Sequence, residues 1–160
     1  MRITVLAALI APVIVVPAAA AAPPPALTAY VGKYPSDKVA GVDFLHHPSV
    51  RKAVAGAVSN DGVRRAVLGE GVEVPIERRG AFIVANICEP HNCADHQWTI
   101  VISAPGRRAA VCYHDADLMN GEARWFVGGS PFYRESNGCW SGEHPAVPTS
   151  VAAELAKAHR

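Results

Sequence analysis

The stretch Ala81–Ser103, AFIVANICEPHNCADHQWTIVIS, decides how this chain folds. It contains two runs rich in β-branched and aromatic residues, AFIVANIC (Ala81–Cys88) and QWTIVIS (Gln97–Ser103), each of strand length. Between them lies CEPHNC, Cys88–Cys93, with two cysteines five positions apart around a proline, a histidine and an asparagine. The pattern predicts two adjacent strands with the cysteine-bracketed segment exposed at their shared end.

The same short-strand signature continues on both sides. VEVPIE (Val72–Glu77), AAVCYH (Ala109–His114) and ARWFVG (Ala123–Gly128) are strand-like runs separated by turn chemistry. Ala104-Pro105-Gly106-Arg107 places proline and glycine where a type II turn needs them, which predicts a hairpin. Asn120-Gly121 fits a type I′ hairpin turn. Upstream the period changes: after Pro48, SVRKAVAGAV puts Val50, Val54, Ala57 and Val58 on one helical stripe. Asn60-Asp61-Gly62 interrupts it, and VRRAVL (Val63–Leu68) predicts a shorter helix ended by Gly69 and Gly71. A last helix starts at Pro148 with Thr149 or Ser150 and carries Val151 and Leu155 on one side. Helices first, a run of adjacent strands next and a helix last imply an α+β domain. Its expected architecture is a central antiparallel sheet of about five strands flanked by helices, with the CEPHNC loop protruding.

Met1-Arg2, an apolar run from Ile3 to Val16 and alanines from Ala18 to Ala22 have the layout of a secretory signal peptide. The run is shorter than the ~20 apolar residues that span a bilayer and contains Pro12, so residues 1–20 read as cleaved and not as an anchor. No cysteine lies near the cleavage options, which argues against lipid attachment there. Residues 21–26 form a Pro/Ala leader and 27–160 a single domain, since the roughly 140 residues left are short for two. The expected location is the periplasm, or outside the cell, with no membrane contact after cleavage.

The formal net charge of the whole chain is +1, and loss of Arg2 with the signal brings it to about zero. Arg64-Arg65, Arg78-Arg79 and Arg107-Arg108 are separate pairs without an aromatic platform. They read as solvated surface or turn charge, not as a nucleic-acid footprint. There is no internal repeat.

An exported chain oxidises its cysteines, but the four present allow three connectivities. A Cys88–Cys93 bridge closes about six residues, for which chain entropy gives only ~2 kcal/mol, whereas Cys112–Cys139 closes about 28 for ~3.6 kcal/mol. The short bridge is weak as a staple and effective at fixing a loop's shape, with Pro90 restricting the same loop and His91 at its apex. Two other readings stand beside this one. Cys88 and Cys93 with His91 and His96 could ligate zinc, at the limit of the usual cysteine spacing, in a small periplasmic metal-binding protein. The loop could also be stapled and have no partner. A thioredoxin-type C-x-x-C is absent.

The chain contains no G-x-S-x-G, H-E-x-x-H, P-loop or G-x-G-x-x-G, and Asp115, Asp117 and Glu122 flank a predicted turn where acids face solvent. The expectation is a protein that is not an enzyme and uses no cofactor.

CEPHNC closely resembles the C-K-P-H-D-C loop of the Ivy family, periplasmic inhibitors of vertebrate (c-type) lysozyme. FLHHPSVRKAV (Phe44–Val54), the strands beside the loop and the late Gly138-Cys139-Trp140 agree in layout, so the resemblance covers roughly Leu27–Trp140. It implies an α+β fold whose disulfide-closed loop enters the lysozyme cleft. Cys88 and Cys93 match the bridge, Pro90 the proline, and His91 the histidine set between the two catalytic carboxylates. Glu89 and Asn92 depart from the pattern, standing where the family has Lys and Asp. The resemblance makes Cys88, Glu89, Pro90, His91, Asn92 and Cys93 the binding loop and c-type lysozyme the protein partner, or else an endogenous cell-wall lytic enzyme. A homodimer is compatible with it.

Overall fold

The computed structural model describes residues 22–135, 138–140 and 147–157. The signal peptide read at 1–20 lies outside the described residues. The elements are a 3₁₀ turn Leu27–Tyr30, α1 Pro48–Ala57, α2 Asp61–Val67, β1 Val72–Glu73, β2 Glu77–Arg79, β3 Phe82–Cys88, β4 His96–Ser103 and β5 Ala109–Asp115. They continue with α3 Ala116–Met119, β6 Ala123–Val127, β7 Ser130–Glu135 and α4 Thr149–Ala156. The fold is α+β, with one antiparallel sheet in the order β1-β3-β4-β5-β6-β7 and β2 also pairing with β3.

Seven strands replace the expected five for two local reasons. VEVPIE splits because Pro75 cannot donate to a ladder; beyond it the Ile76 N–H turns to the Lys33 carbonyl at 2.8 Å. The sequence reading also missed β7: Pro131 and Arg134 hide the alternation of SPFYRE, which is exposed along almost its whole length at the sheet edge. The connections follow their turn chemistry with small shifts. The β4–β5 hairpin forms, but its turn bond runs from the Gly106 N–H to the Ser103 carbonyl at 2.6 Å, one residue earlier than the type II reading. Asn120 and Gly121 both adopt positive φ, 52° and 75°, and the Glu122 N–H reaches the Met119 carbonyl at 3.1 Å. That is type I′ geometry. It does not join β5 directly to β6, because α3 intervenes, N-capped by the Asp115 carboxylate on the Leu118 N–H at 3.1 Å.

Strand alternation sends side chains to two cores. On one face Ile83, Ala85, Ile87, Trp98, Ile100, Ile102, Val111 and Tyr113 pack with Tyr30, Phe44 and the α1 residues Val50, Ala53, Val54 and Ala57. On the other, Val84, Val101, Ala110, Cys112 and Trp125 meet Cys139 and the α4 residues Val151 and Leu155. Burial on both faces explains why β3 and β4 read as nearly continuous apolar runs. Two caps refine the helix boundaries. Asn60, read as a break, caps α2 by accepting from the Val63 N–H at 3.0 Å, so that helix begins at Asp61. Buried His47 caps α1: Nδ1 accepts the Ser49 N–H at 3.1 Å while Nε2–H donates to the Pro25 carbonyl at 2.9 Å, tying the leader to the helix.

Candidate functional site

The β3–β4 connection is built from its ends inward. Cys88, the last residue of β3, pairs across the ladder with Gln97, and the Glu89 N–H donates to the His96 carbonyl at 3.0 Å. Cys88 is bonded to Cys93, their Cα atoms 4.9 Å apart, and Cys112 to Cys139 at 5.5 Å. The two bridges are therefore those that proximity suggested, and all four cysteines are engaged.

Within the short bridge lies a β-turn. The Asn92 N–H donates to the Glu89 carbonyl at 3.0 Å, Pro90 occupies the first central position and His91 the second with φ +64°. This is the type II pattern, and it puts a non-glycine residue in the left-handed region at a cost of about 1–2 kcal/mol. His91 is exposed and makes no hydrogen bond or ion pair among the described residues.

Glu89 and Asn92 hold the turn together. The Asn92 side-chain amide donates to Glu89 Oε2 at 2.8 Å, and His96 Nδ1 lies 3.1 Å from the same oxygen. A carboxylate only accepts, so the proton belongs on His96 Nδ1. His96 Nε2 then accepts from the Tyr113 hydroxyl at 2.9 Å, and the Asp115 carboxylate stands 3.5 Å beyond it. The amide of Asn92 and then His96 hold the Glu89 carboxyl below its ordinary range. Burial, followed by the charge of Asp115, pushes Tyr113 up to about 12, so it remains a hydroxyl donor. The Asn92 and His96 contacts both fall on one oxygen of Glu89, whose side chain remains about half exposed at 48%.

Gln97 supplies the remaining support. Its Nε2 donates to the Cys93 carbonyl at 3.0 Å, and Gly138, at φ +78°, packs so closely that a Cβ there would sit 2.9 Å from the same nitrogen. The segment bearing the long bridge therefore backs the short one. On the opposite side Gly71 approaches the end of β3; a Cβ would lie 2.7 Å from Ile87 Cγ2 and would clash with the Cys88 carbonyl oxygen.

Beside the loop is a notch of about 240 Å³ lined by Glu89, Asp95, Asp115 and Asp117 with Asn92 and His96. Asp115 is a helix cap, and Glu122 pairs with Arg134 at 3.2 Å. The zinc reading loses its thiolates to the disulfide and has both His96 nitrogens occupied; among the described residues no three His, Cys, Asp or Glu side chains are placed to hold a metal ion. Sequence reasoning missed Gln97, Tyr113 and Asp115 as loop supports. Only the β4–β5 register, His96 opposite Asp115 and Trp98 opposite Tyr113, brings Tyr113 and Asp115 to His96, whereas Gln97 reaches the Cys93 carbonyl from four residues away.

No protein-family model, curated protein or solved structure matches the chain.

Proposed function

We propose that this protein is a non-enzymatic inhibitor that inserts its Cys88–Cys93 loop into the catalytic cleft of a cell-wall glycoside hydrolase, with c-type lysozyme as the target and the periplasm or extracellular space as the place of action. The observation that carries the reading is His91. It stands exposed at a left-handed apex, in a turn pinned by a disulfide, a proline and the Glu89–Asn92 bond, and has no bond of its own among the described residues. A side chain held this way loses little freedom on binding.

The chemistry suits such a cleft. A retaining glycosidase holds two carboxyls roughly 5–5.5 Å apart, one protonated and one ionised. An imidazole presents two nitrogens on opposite sides, so it can accept from the acid and donate to the carboxylate while occupying the place of the scissile bond. The departures at Glu89 and Asn92 are compatible with this role, because the Asn92 amide donates to the Glu89 carboxylate and helps to hold the turn closed. Two disulfides fit an oxidising compartment.

The test is turbidimetric lysis of cell walls by c-type lysozyme, with an endogenous lytic transglycosylase in a parallel assay. Inhibition that saturates near one protein per enzyme is expected for lysozyme. Undiminished lysis by both enzymes at a large molar excess of the protein would reject the inhibitor reading, and inhibition of the transglycosylase alone would move the target to the cell's own enzymes.

A further inference from the structure

Strand direction sorts the charges of this near-neutral chain. The β3–β4 loop end carries Glu89, Asp95, Asp115 and Asp117, with Arg124 and Arg134 on the neighbouring part of β6 and β7, whereas two of the three arginine pairs, Arg78-Arg79 and Arg107-Arg108, meet at the other end. Arg78 and Arg79 pair with Ile83 and Phe82 beside the β2–β3 turn, and Arg107 and Arg108 form the β4–β5 tip. The Ala104 N–H donates to the Ala81 carbonyl at 2.9 Å and ties the two tips together. Helix α1 lies against this end, and its Lys52 joins Arg107 and Arg108 around a groove of about 230 Å³ floored by Ala53, Ala57, Ala109 and Val127.

Against the sequence expectation of no membrane contact after cleavage, we propose that this basic end is a docking surface for the phosphate headgroups of an anionic lipid bilayer, on which the protein sits with the His91 loop directed away from the lipid. Of the five cations Lys52, Arg78, Arg79, Arg107 and Arg108, Arg79 is paired with Glu77. Arg108 is fixed by the carbonyls of Leu155 in α4 and of Lys157 just past its end. Lys52, Arg78 and Arg107 are exposed and carry the contact, Arg78 with its Nε donating to the Gly80 carbonyl at 3.2 Å. Exposed cations spread over two strand tips and a helix match the laterally extended phosphate layer of an anionic bilayer, which a single free anion does not offer. The orientation follows from the charge separation: an anionic surface attracts one end of the sheet and repels the four carboxylates at the other. The docking does not depend on the reading of the loop.

Co-sedimentation of the purified protein with phosphatidylcholine vesicles, with and without phosphatidylglycerol, tests this. Binding is expected only with the anionic lipid and should fall as salt rises. Each of Lys52→Gln, Arg78→Gln and Arg107→Gln should weaken it about fivefold, and the triple variant about a hundredfold. Asp95→Asn with Asp117→Asn, at the far end, should bind at least as well as the parent. Equal binding to uncharged vesicles, or a triple variant that sediments like the parent, overturns the proposal. So does competition by millimolar inorganic phosphate, which indicates a small-anion site, or binding to dextran sulfate but not to vesicles, which indicates a polysaccharide.

Discussion

Replacing His91 separates the loop's binding role from its folding role when two variants are compared. His91 is exposed with φ +64°, so His91→Ala keeps the left-handed strain and removes only the imidazole. His91→Gly also relieves that strain, worth about 1–2 kcal/mol, against the roughly 1 kcal/mol of extra chain entropy a glycine brings to the unfolded state. Neither should change stability by more than about 1 kcal/mol, a melting shift within ~4 °C for a domain of this size. A central anchor in a cleft is worth about 2 kcal/mol or more, so both variants should inhibit at least thirtyfold less well than the parent. Thermal melts and titration of lysozyme-driven lysis measure the two effects on the same preparations. Unchanged inhibition by His91→Ala would refute the assignment of the anchor. A loss of 10 °C in its melting temperature would refute the view that the side chain plays no part in the fold.

Three further outcomes follow from the loop's construction. Cys88→Ser with Cys93→Ser removes a closure worth ~2 kcal/mol and should impair inhibition more than stability. Cys112→Ser with Cys139→Ser should lower the melting temperature more, by the equivalent of ~3.6 kcal/mol plus the packing of two buried sulfurs, and equal melting losses would count against this division. Glu89 titrates below its ordinary value of 4.5 because Asn92 and His96 bond its carboxylate. Its contribution to loop order is therefore complete above that value and lost as pH falls through the lower folded value. Amide exchange at Asn92 and His96 should rise at that acid step, and a Glu89→Gln protein showing the same step would disprove the cause. Gly71→Ala forces a methyl against the Cys88 carbonyl and should destabilise by about 1–3 kcal/mol through loss of the β1–β3 pairing; a melt like the parent's would show that β1 can shift freely.

Much of the sheet was legible because its evidence is local. AFIVANIC and QWTIVIS carry enough β-branched surface to declare strands by themselves, and Asn120-Gly121 adopts the positive φ values its chemistry prefers. The α1 stripe predicted from Val50, Val54 and Ala57 is the buried one. β7 was not legible, because an exposed edge strand has no hydrophobic face to write into sequence. The site divides in the same way. Cysteine spacing and Pro90 announce a constrained loop with His91 at its tip, since ring closure and a fixed φ act over a few residues.

The supports of that loop and the polarity of the molecule belong to tertiary structure. Glu89, read along the chain, is a carboxylate adjoining a binding histidine; folded, it is the acceptor on which Asn92 and His96 converge. Tyr113 reaches His96 only because β4 and β5 pair in one register, and a slip of one residue would turn it to the opposite face. Arg78 and Arg107 are 29 positions apart in the sequence and sit on tips joined by the Ala104–Ala81 hydrogen bond. Composition settles a sum of charges near zero, but where those charges lie depends on which strand ends the sheet brings together. Antiparallel pairing brought Arg78-Arg79 and Arg107-Arg108 to one end of this sheet and Glu89, Asp95, Asp115 and Asp117 to the other, beside the loop that bears His91.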